Sequence, residues 1–583
     1  MTAHLPLDTT APFVLLDDAR VGGGAPARLY RDPIEIVTTS DRAALPACLA
    51  ALRRARDAGL HAAGYIGYDA GPLGEATIPG DGAAPLLWFG LFRDYTLVED
   101  VAALLPDPAG AWAGAPLPRI GEDAYAEAFE TVRAYIAAGD IYQANLTFQS
   151  DCVVQGDPLA LYARLRGHAA AGWGGIVRDG TRTILSFSPE LFFTLDGRRL
   201  LARPMKGTAE RGADPESDAQ AARSLGEDIK QRAENLMIVD LLRNDLSRIA
   251  DPGSVAVPAL YTVETYPTVH QMTSTITATL AVDEDAVSVL EAAFPCGSIT
   301  GAPKLRAIEV AAEVEQGSRG LYTGAIGRLD ADGSAAFNVA IRTLVIEEEG
   351  SASIGLGSAI VADSRCSAEW RECLAKGAFV AHAMAPFDLI ETMRFDPIEG
   401  IAELERHLAR MKASATIFGF AFDRHGVRNE LQAATFRLRD PTRLRLMLAR
   451  SGKVAIEARA LPPHPDEPVI APIVPLPVSQ SDFRLRHKTS DRAFYDRARN
   501  GRFEVVFERP DGLLTEGSFA TLFVERQGKL LTPPLSHGLL PGILRQRLIE
   551  EGRAIEADLR ATDLKDGFLL GNAIRGLIRA RLP

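Results

Sequence analysis

Nine of the chain's 63 basic residues are lysines and the other 54 are arginines. Two of the nine, Lys206 and Lys488, stand where a guanidinium could not do the chemistry their neighbours suggest. Arginine serves as well as lysine for solubility but cannot usefully deprotonate, so a retained amine hints at attack on carbon or attachment to a carbonyl. Lys206 sits in Arg203-Pro-Met-Lys-Gly-Thr208. Lys488 follows the strand-like Phe483-Arg-Leu-Arg-His487 without a turn glycine, whereas Lys412 continues a polar helical face and Lys453, Lys529 and Lys565 lie beside glycines. A solvated strand end is the other reading of Lys488. A second chemical group is acidic: Glu369 and Glu372 lie three apart on one helical face, and Glu234 opens another helix. Carboxylates supplied in this way suit magnesium, which takes a few hard oxygens plus substrate and water. Spacing alone favours a plainer role, in which Glu372 pairs with Lys376 at i,i+4.

The elements that must position these residues follow from periodicity. Tyr125, Phe129, Val132 and Ile136 recur at helical spacing after Asp123, a candidate N-cap, and Gly139 can end that helix. A strand is expected over 141–149, helices over 228–245, 302–315 and 367–383, and alternating strands over 184–193, 335–345 and 353–361. The stretch 13–94 mixes short apolar runs with Gly- and Pro-rich turns and carries no catalytic cluster. At 583 residues the chain exceeds one core. The helical pattern stops at His382-Ala-Met-Ala-Pro386 and a strand begins at Phe387, which places domains at 1–383 and 387–583. A net charge of −13 and no basic stripe argue against nucleic acid as a partner. No leader-like segment or membrane-length apolar run is visible, so a cytoplasmic location and no membrane partner are expected. Five cysteines without metal-ligand spacing read as thiols.

The wider motif string says more than spacing does. Gly139-Asp-Ile-Tyr-Gln143, Ser188-Pro-Glu-Leu-Phe192, Arg203-Pro-Met-Lys-Gly-Thr208, Ala233-Glu-Asn-Leu-Met-Ile-Val-Asp-Leu-Leu-Arg-Asn-Asp245, Gly297-Ser-Ile-Thr-Gly-Ala-Pro-Lys304, Phe337-Asn-Val-Ala-Ile-Arg-Thr343 and Ile360-Val-Ala-Asp-Ser364 occur in the order seen in chorismate-utilising enzymes. Residues 13–383 resemble that family, which contains anthranilate, isochorismate, salicylate and aminodeoxychorismate synthases. Members that add water to chorismate resemble one another in a lysine base where Gln143 stands, and Gln143 cannot activate water that way. Anthranilate and isochorismate synthases usually carry alanine at the position of Lys206, whereas aminodeoxychorismate synthases resemble this chain in a Pro-(Ile/Met)-Lys-Gly-Thr segment. The resemblance implies that Lys206 attacks the ring, expels the hydroxyl and is displaced by ammonia; simple pairing with a carboxylate is the alternative. Val269-His270-Gln271 puts glutamine where anthranilate synthases carry a histidine that promotes pyruvate loss, with His270 one residue away. By the same match Glu190 is the general acid, Glu234 and Glu372 hold Mg2+ against the ring carboxylate, and Glu369 supports them. Arg342, Tyr322 and the amides of Gly357 and Ser358 would hold the enolpyruvyl carboxylate, and Gln143, Thr208 and His270 would complete the substrate contacts. Lys304 would support the site electrostatically or structurally, and Cys296 stands where glycine is more common.

Leu404-Glu-Arg-His-Leu-Ala-Arg-Met411, Glu516-Gly-Ser-Phe519, Leu540-Pro-Gly-Ile-Leu-Arg545 and Gly571-Asn572 resemble, in order, the pattern of fold-type IV pyridoxal-phosphate enzymes. That family includes branched-chain and D-amino-acid aminotransferases and aminodeoxychorismate lyases. The match implies that Lys488 carries pyridoxal 5'-phosphate and that Glu516 keeps its pyridine nitrogen protonated, making the ring an electron sink. Arg410, the amides of Ile543 and Leu544, and Asn572 would bind its phosphate. Thr521 stands where the family usually has asparagine. The fold expected is α+β, a large chorismate-utilising fold of antiparallel sheets with helices followed by a smaller fold-type IV α/β domain. The joint implication is amination of chorismate and then pyruvate elimination to 4-aminobenzoate, a step toward folate. No segment combines a cysteine on a glycine-rich strand-to-helix turn with a downstream His/Glu pair, so ammonia is expected from a separate glutamine amidotransferase subunit. The second half leaves room for a homodimer. Two other readings stay open: an anthranilate synthase fused to an aminotransferase-like domain, and a synthase whose second domain is regulatory.

Overall fold

Alternating apolar runs too long for one layer must split or cross between sheets, and in this chain they cross. A computed structural model describes residues 7, 11–20, 24–73, 84–266 and 269–583. Contacts group the chain into two units, Met1–Leu105 with Ala115–Val154 and Tyr162–Ala383, and Pro106–Gly114 with Gln155–Leu161 and Met384–Pro583.

The first unit holds two antiparallel sheets. One runs Gly301–Ala302, Gln143–Gln155, Ser351–Ile360, Thr343–Glu347, Arg182–Ser186, Gly174–Arg178, Phe13–Asp17, Ala27–Arg31, Thr96–Val98. The other runs Met205–Glu210, Val269–Thr279, Arg199–Arg203, Leu191–Asp196, Ala335–Val339, Ala325–Leu329, His61–Ile66, Leu87–Phe92, Glu35–Thr39, with Ala256–Thr265 beside Val269–Thr279. The single strands expected over 184–193 and 335–345 are each broken in two, because each leaves one sheet and enters the other. The first break contains Pro189, which cannot donate to a ladder. The second ends at Arg342, whose φ of 49° is left-handed, a costly conformation for a residue with a side chain. Two backbone bonds tie the crossings together, Phe187 N to Arg342 O at 3.0 Å and Val339 N to Glu190 O at 3.1 Å. Glu190 and Arg342 are thereby fixed between the sheets.

Helices cover these layers. Glu122–Ala138 ends at Gly139 in the left-handed conformation, as expected, but Gly121 is its N-cap and Asp123 lies inside the first turn. Ile229–Ser247 is capped by the Asp228 side chain on Gln231 N. The helix expected over 302–315 is Lys304–Val314, and that over 367–383 is divided into Cys366–Gly377 and Phe379–His382. The cysteines are all free thiols. Among the described residues no helix is long and apolar enough to cross a membrane.

The second unit combines an antiparallel sheet, Gly400–Ile401, Leu389–Asp396, Thr442–Leu448, Val454–Ala460, with a mixed one, Val469–Ile470, Gly576–Arg581, Phe568–Asn572, Thr521–Arg526, Lys529–Thr532, Ala554–Glu556. Leu404–Phe418 packs Leu408, Met411, Ala415 and Phe418 onto Leu444, Leu446 and Leu448. The segment expected as a strand before Lys488 is instead a short helix, Phe483–Arg486, because Asp482 accepts from Arg484 N and caps it.

Candidate active sites

In the first unit, Lys206 lies on the strand Met205–Glu210. Its carbonyl accepts from Asn235 Nδ2 at 3.3 Å, and Asn235 Oδ1 accepts from Ser274 Oγ at 2.6 Å, so helix and sheet pin the backbone that carries the amine. Desolvation lowers the Lys206 amine, Glu234 opposes this, Lys376 adds to it, and Glu372 and Glu190 oppose it. These five side chains therefore share one electrostatic neighbourhood. Glu190 is 4% exposed. Burial pushes its carboxyl up to about 7 against the pull of Ser298 and Lys206, which suits an acid that must keep a proton near neutrality.

Glu234 is raised by burial, relieved by Lys206 and Lys230, and raised again by Asp363 and Glu369. Burial also raises Glu372, but Lys376, with Lys206 and Lys230 behind it, holds the carboxyl low. The Glu372–Lys376 pair is the plain i,i+4 pairing at 2.8 Å, and it faces solvent. Among the described residues no three acidic, imidazole or thiol groups are gathered for a metal. Magnesium needs only one or two carboxylates with water and substrate. Glu234 and Glu369, whose like charges oppose one another, fit that need. Glu372 could join them by giving up an exposed pair worth roughly 0.2–1 kcal/mol.

Two of the residues expected to contact the substrate, Arg342 and Gln143, have unmet demand. Arg342 is desolvated, which lowers its guanidinium, with only Tyr266 acting against this. Gln143 is fully buried, and neither its Nε2 nor its Oε1 has a partner among the described residues. The Tyr322 ring covers Gly355, where a Cβ would come within 2.0 Å of it. Gly357 O accepts from Lys376 Nζ at 2.9 Å and Ser358 is buried two strands from the Gly301–Ala302 edge, on the strand paired with Gln143–Gln155. Gly301 is required there, since a Cβ would lie 2.2 Å from Gln143 O.

Other expected contacts are spent elsewhere. His270 is buried with Nδ1 3.0 Å from Thr265 Oγ1 and Nε2 2.9 Å from Asp218. Both ring nitrogens are occupied, which removes it from the substrate contacts expected of it. Thr208 is exposed and donates to Gln271. Lys304 binds Asp245 at 2.5 Å and Ala293 O at 2.9 Å, the structural support anticipated. Cys296 is a buried thiol 3.2 Å from Ser298 Oγ, pushed up to about 12 by burial; nothing in the structure explains why it replaces a glycine. Lys376, which acts on Lys206, Glu190 and Glu372 alike, was legible in the sequence only as a partner of Glu372.

The second unit encloses a cavity of about 660 Å³ lined by Lys488, Glu516, Arg410, Thr521, Leu544 and Asn572, among others. Burial lowers the Lys488 amine to about 7, helped by Arg492 and Arg410. Burial raises Glu516 to about 7; its Oε1 accepts from Tyr495 OH at 3.0 Å and Leu540 N at 3.2 Å. Tyr495 was not singled out in the sequence, although its seven-residue distance from Lys488 placed it nearby. Gly542 caps the helix Ile543–Glu550 without a side-chain bond. The first backbone bond of that helix comes from Gln546 N, which leaves the Ile543 and Leu544 amides for an anion.

Arg410 donates Nε and Nη2 to Glu391 at 2.8 and 2.7 Å and Nη1 to Pro541 O at 2.8 Å, leaving two of its five N–H groups. Glu391 also binds His407 Nδ1 at 2.6 Å. Although burial raises Glu391, Arg410 and His407 pull it down to about 2. Asn572 departs from expectation: Oδ1 accepts from Ile574 N and Arg575 N, both at 2.9 Å, and Nδ2 donates to Phe519 O at 3.4 Å, so it shapes a turn. Thr521 is buried at the start of its strand, with Oγ1 against Gly542. An amine free near neutrality, a carboxyl for a ring nitrogen, and unpaired helix amides beside an arginine fit pyridoxal phosphate.

Comparison with known proteins finds two matching families along the chain. A family model described as chorismate binding enzyme matches residues 32–382, and one described as amino-transferase class IV matches residues 388–582. Aminodeoxychorismate synthase component 1 of Salmonella typhimurium is 43% identical over 260 residues, 45% of this chain and 57% of that protein. Anthranilate synthase component 1 of Streptomyces coelicolor is 40% identical over 256 residues, 44% of this chain and 50% of that protein. The chain spans about half the length of the curated relatives it matches. Among solved structures, anthranilate synthase component I from Streptococcus pneumoniae aligns with a TM-score of 0.53 at 25% identity, over 65% of this chain and 95% of that one.

Proposed function

The chain belongs to the chorismate binding enzyme family through residues 32–382, and from that premise we propose that its first unit aminates chorismate to 4-amino-4-deoxychorismate and its second eliminates pyruvate to give 4-aminobenzoate. Relatives of both the aminodeoxychorismate and the anthranilate type match at 40% identity or more, so overall likeness does not choose between them. Lys206 carries the choice. Its amine is lowered by desolvation and shares its surroundings with Glu190, Glu234 and Glu372. Such an amine can attack the ring carbon as Glu190 delivers its proton to the departing hydroxyl, and ammonia then displaces it. Glu234, with Glu369 or Glu372, would hold magnesium on the ring carboxylate. Arg342, Tyr322 and Gln143 would hold the enolpyruvyl arm.

In the second unit, Lys488 would carry pyridoxal phosphate, Glu516 would face its ring nitrogen, and Arg410 with the Ile543 and Leu544 amides would face its phosphate. Bound there, the cofactor supplies an electron sink. Lys488 Nζ takes the proton from the amine-bearing carbon, and loss of enolpyruvate makes the ring aromatic. A separate glutaminase is proposed to deliver the ammonia.

The test supplies purified chain with chorismate, ammonium, magnesium and pyridoxal phosphate and identifies the aminobenzoate. The 4-isomer with pyruvate is expected; the 2-isomer would replace this reading with anthranilate synthesis, and accumulation of 4-amino-4-deoxychorismate would leave the second unit without the lyase role.

A further inference from the structure

The cavity of the second unit has more positive charge than its cofactor needs. Its lining includes Arg410, Arg443, Arg445, Arg492, Arg499 and Arg575, against the carboxylates of Glu516 and Asp496. Arg410 is neutralised by Glu391, and Arg499 donates to Asp496 at 2.8 Å. None of the ion pairs among the described residues includes Arg443, Arg445, Arg492 or Arg575. Buried nitrogens without a hydrogen-bond partner remain on three of them: Arg445 Nε, Arg492 Nη1 and Arg575 Nε. An unpaired buried donor on a charged group is costly.

The fold aims two of these arginines deliberately. In Thr442–Leu448 the residues Leu444, Leu446 and Leu448 face the core, and strand alternation turns Arg443 and Arg445 to the other face, into the cavity. Arg443 stands opposite Arg394 on one neighbouring strand and Arg459 on the other. Like charges placed opposite one another oppose folding, and of the three only Arg459 has an acidic partner among the described residues, Glu457. Arg575 arrives from the turn that Asn572 shapes, with its guanidinium 5.4 Å over the Phe519 ring. Burial lowers Arg575 and Arg443 lowers it further, so the two cations feel each other.

We propose that Arg443, Arg445 and Arg575 form an anion subsite, separate from the phosphate cradle at Ile543 and Leu544, that selects cyclic substrates bearing a second carboxylate over monocarboxylic amino acids. The inference deepens the reading of this cavity as a lyase site, since the proposed ring amine carries two carboxylates. Arg445 and Arg575 supply the unpaired donors, Arg443 adds charge, and an arginine fork matches a carboxylate in two bonds.

Isothermal titration of the holoenzyme with isophthalate, which carries two ring carboxylates, and with benzoate, which carries one, reads the subsite without turnover. Isophthalate should bind at least about tenfold more tightly, the size expected of one charge-assisted contact. Arg445→Met and Arg575→Met should each abolish that advantage while benzoate affinity and the cofactor's visible absorbance stay at wild-type values, and Arg445→Lys should retain part of it. If Arg445→Met loses the cofactor, Arg575→Met alone decides. Equal wild-type affinities, or an unchanged ratio in the decisive Met variants, would overturn the subsite. The lyase reading fails separately: an arginine-dependent isophthalate preference in a chain that forms no 4-aminobenzoate keeps the subsite and removes the reaction.

Discussion

At the scale of single residues, the first unit pairs an acid that stays protonated with an amine that loses its proton early, and both shifts begin with burial. The sign of the pH dependence follows. In the proposed reaction Glu190 is the proton donor, so its useful form would be lost as pH rises through about 7. The kcat/KM of amination should therefore fall above that pH, and Glu190→Gln, which cannot deliver a proton, should lower kcat by about 100- to 10,000-fold and abolish that limb. A pH–rate profile of amination in both proteins checks this; a limb that survives in the variant would assign it to another group. Lys206→Ala removes the proposed nucleophile and should reduce amination to background while leaving the second unit's cofactor absorbance at the wild-type level. Wild-type amination in that variant, measured by chorismate consumption with ammonium, would end the covalent role.

At the scale of elements, the sequence identified the helices that carry Glu234, Glu369 and Glu372 because their apolar spacing is long and regular. Strand breaks were harder to see. The runs 184–193 and 335–345 alternate almost without interruption, yet each crosses between sheets, and only Pro189 and the strained Arg342 mark the crossings. The helix before Lys488 was hidden for a different reason: four residues are too few to show a period, and its cap at Asp482 decides it. His270 and Asn572 were matched by motif, but a motif cannot reveal that a side chain's bonds are already spent within the fold. The Glu391, His407 and Arg410 cluster, which joins the strand Leu389–Asp396 to the helix Leu404–Phe418, has consequences that can be measured. Both Glu391 and His407 are 1% exposed. Removing the carboxylate leaves the guanidinium unpaired, so Glu391→Leu should destabilise the second unit by about 3–5 kcal/mol. Because the folded carboxyl lies below its ordinary 4.5, near 2, the stabilisation is full above 4.5 and is lost as pH falls toward 2. Denaturant titrations at several acid pH values should show that decline in the wild type and its absence in the variant.

At the scale of the whole chain, each unit has its own core and its own proposed reactive lysine, so the two proposed reactions should be separable by substitution. Lys206 and Glu190 lie among the sheets of the first unit, and Lys488 lines the cavity of the second. Burial holds the Lys488 amine near 7, so it is available to a carbonyl above that pH and can move a proton near it. Lys488→Ala removes both capacities and leaves Lys206 and Glu190 unchanged. The variant should lose the visible absorbance of bound pyridoxal phosphate and still consume chorismate at the wild-type rate with ammonium and magnesium. It should then release 4-amino-4-deoxychorismate, detected by mass, in place of 4-aminobenzoate and pyruvate. Adding a second protein that carries only the Lys206→Ala change should restore 4-aminobenzoate, because the released amine can diffuse to an intact second unit. If the Lys488 variant makes 4-aminobenzoate unaided, the first unit performs the elimination itself, and the cavity around Lys488 must serve a different amine.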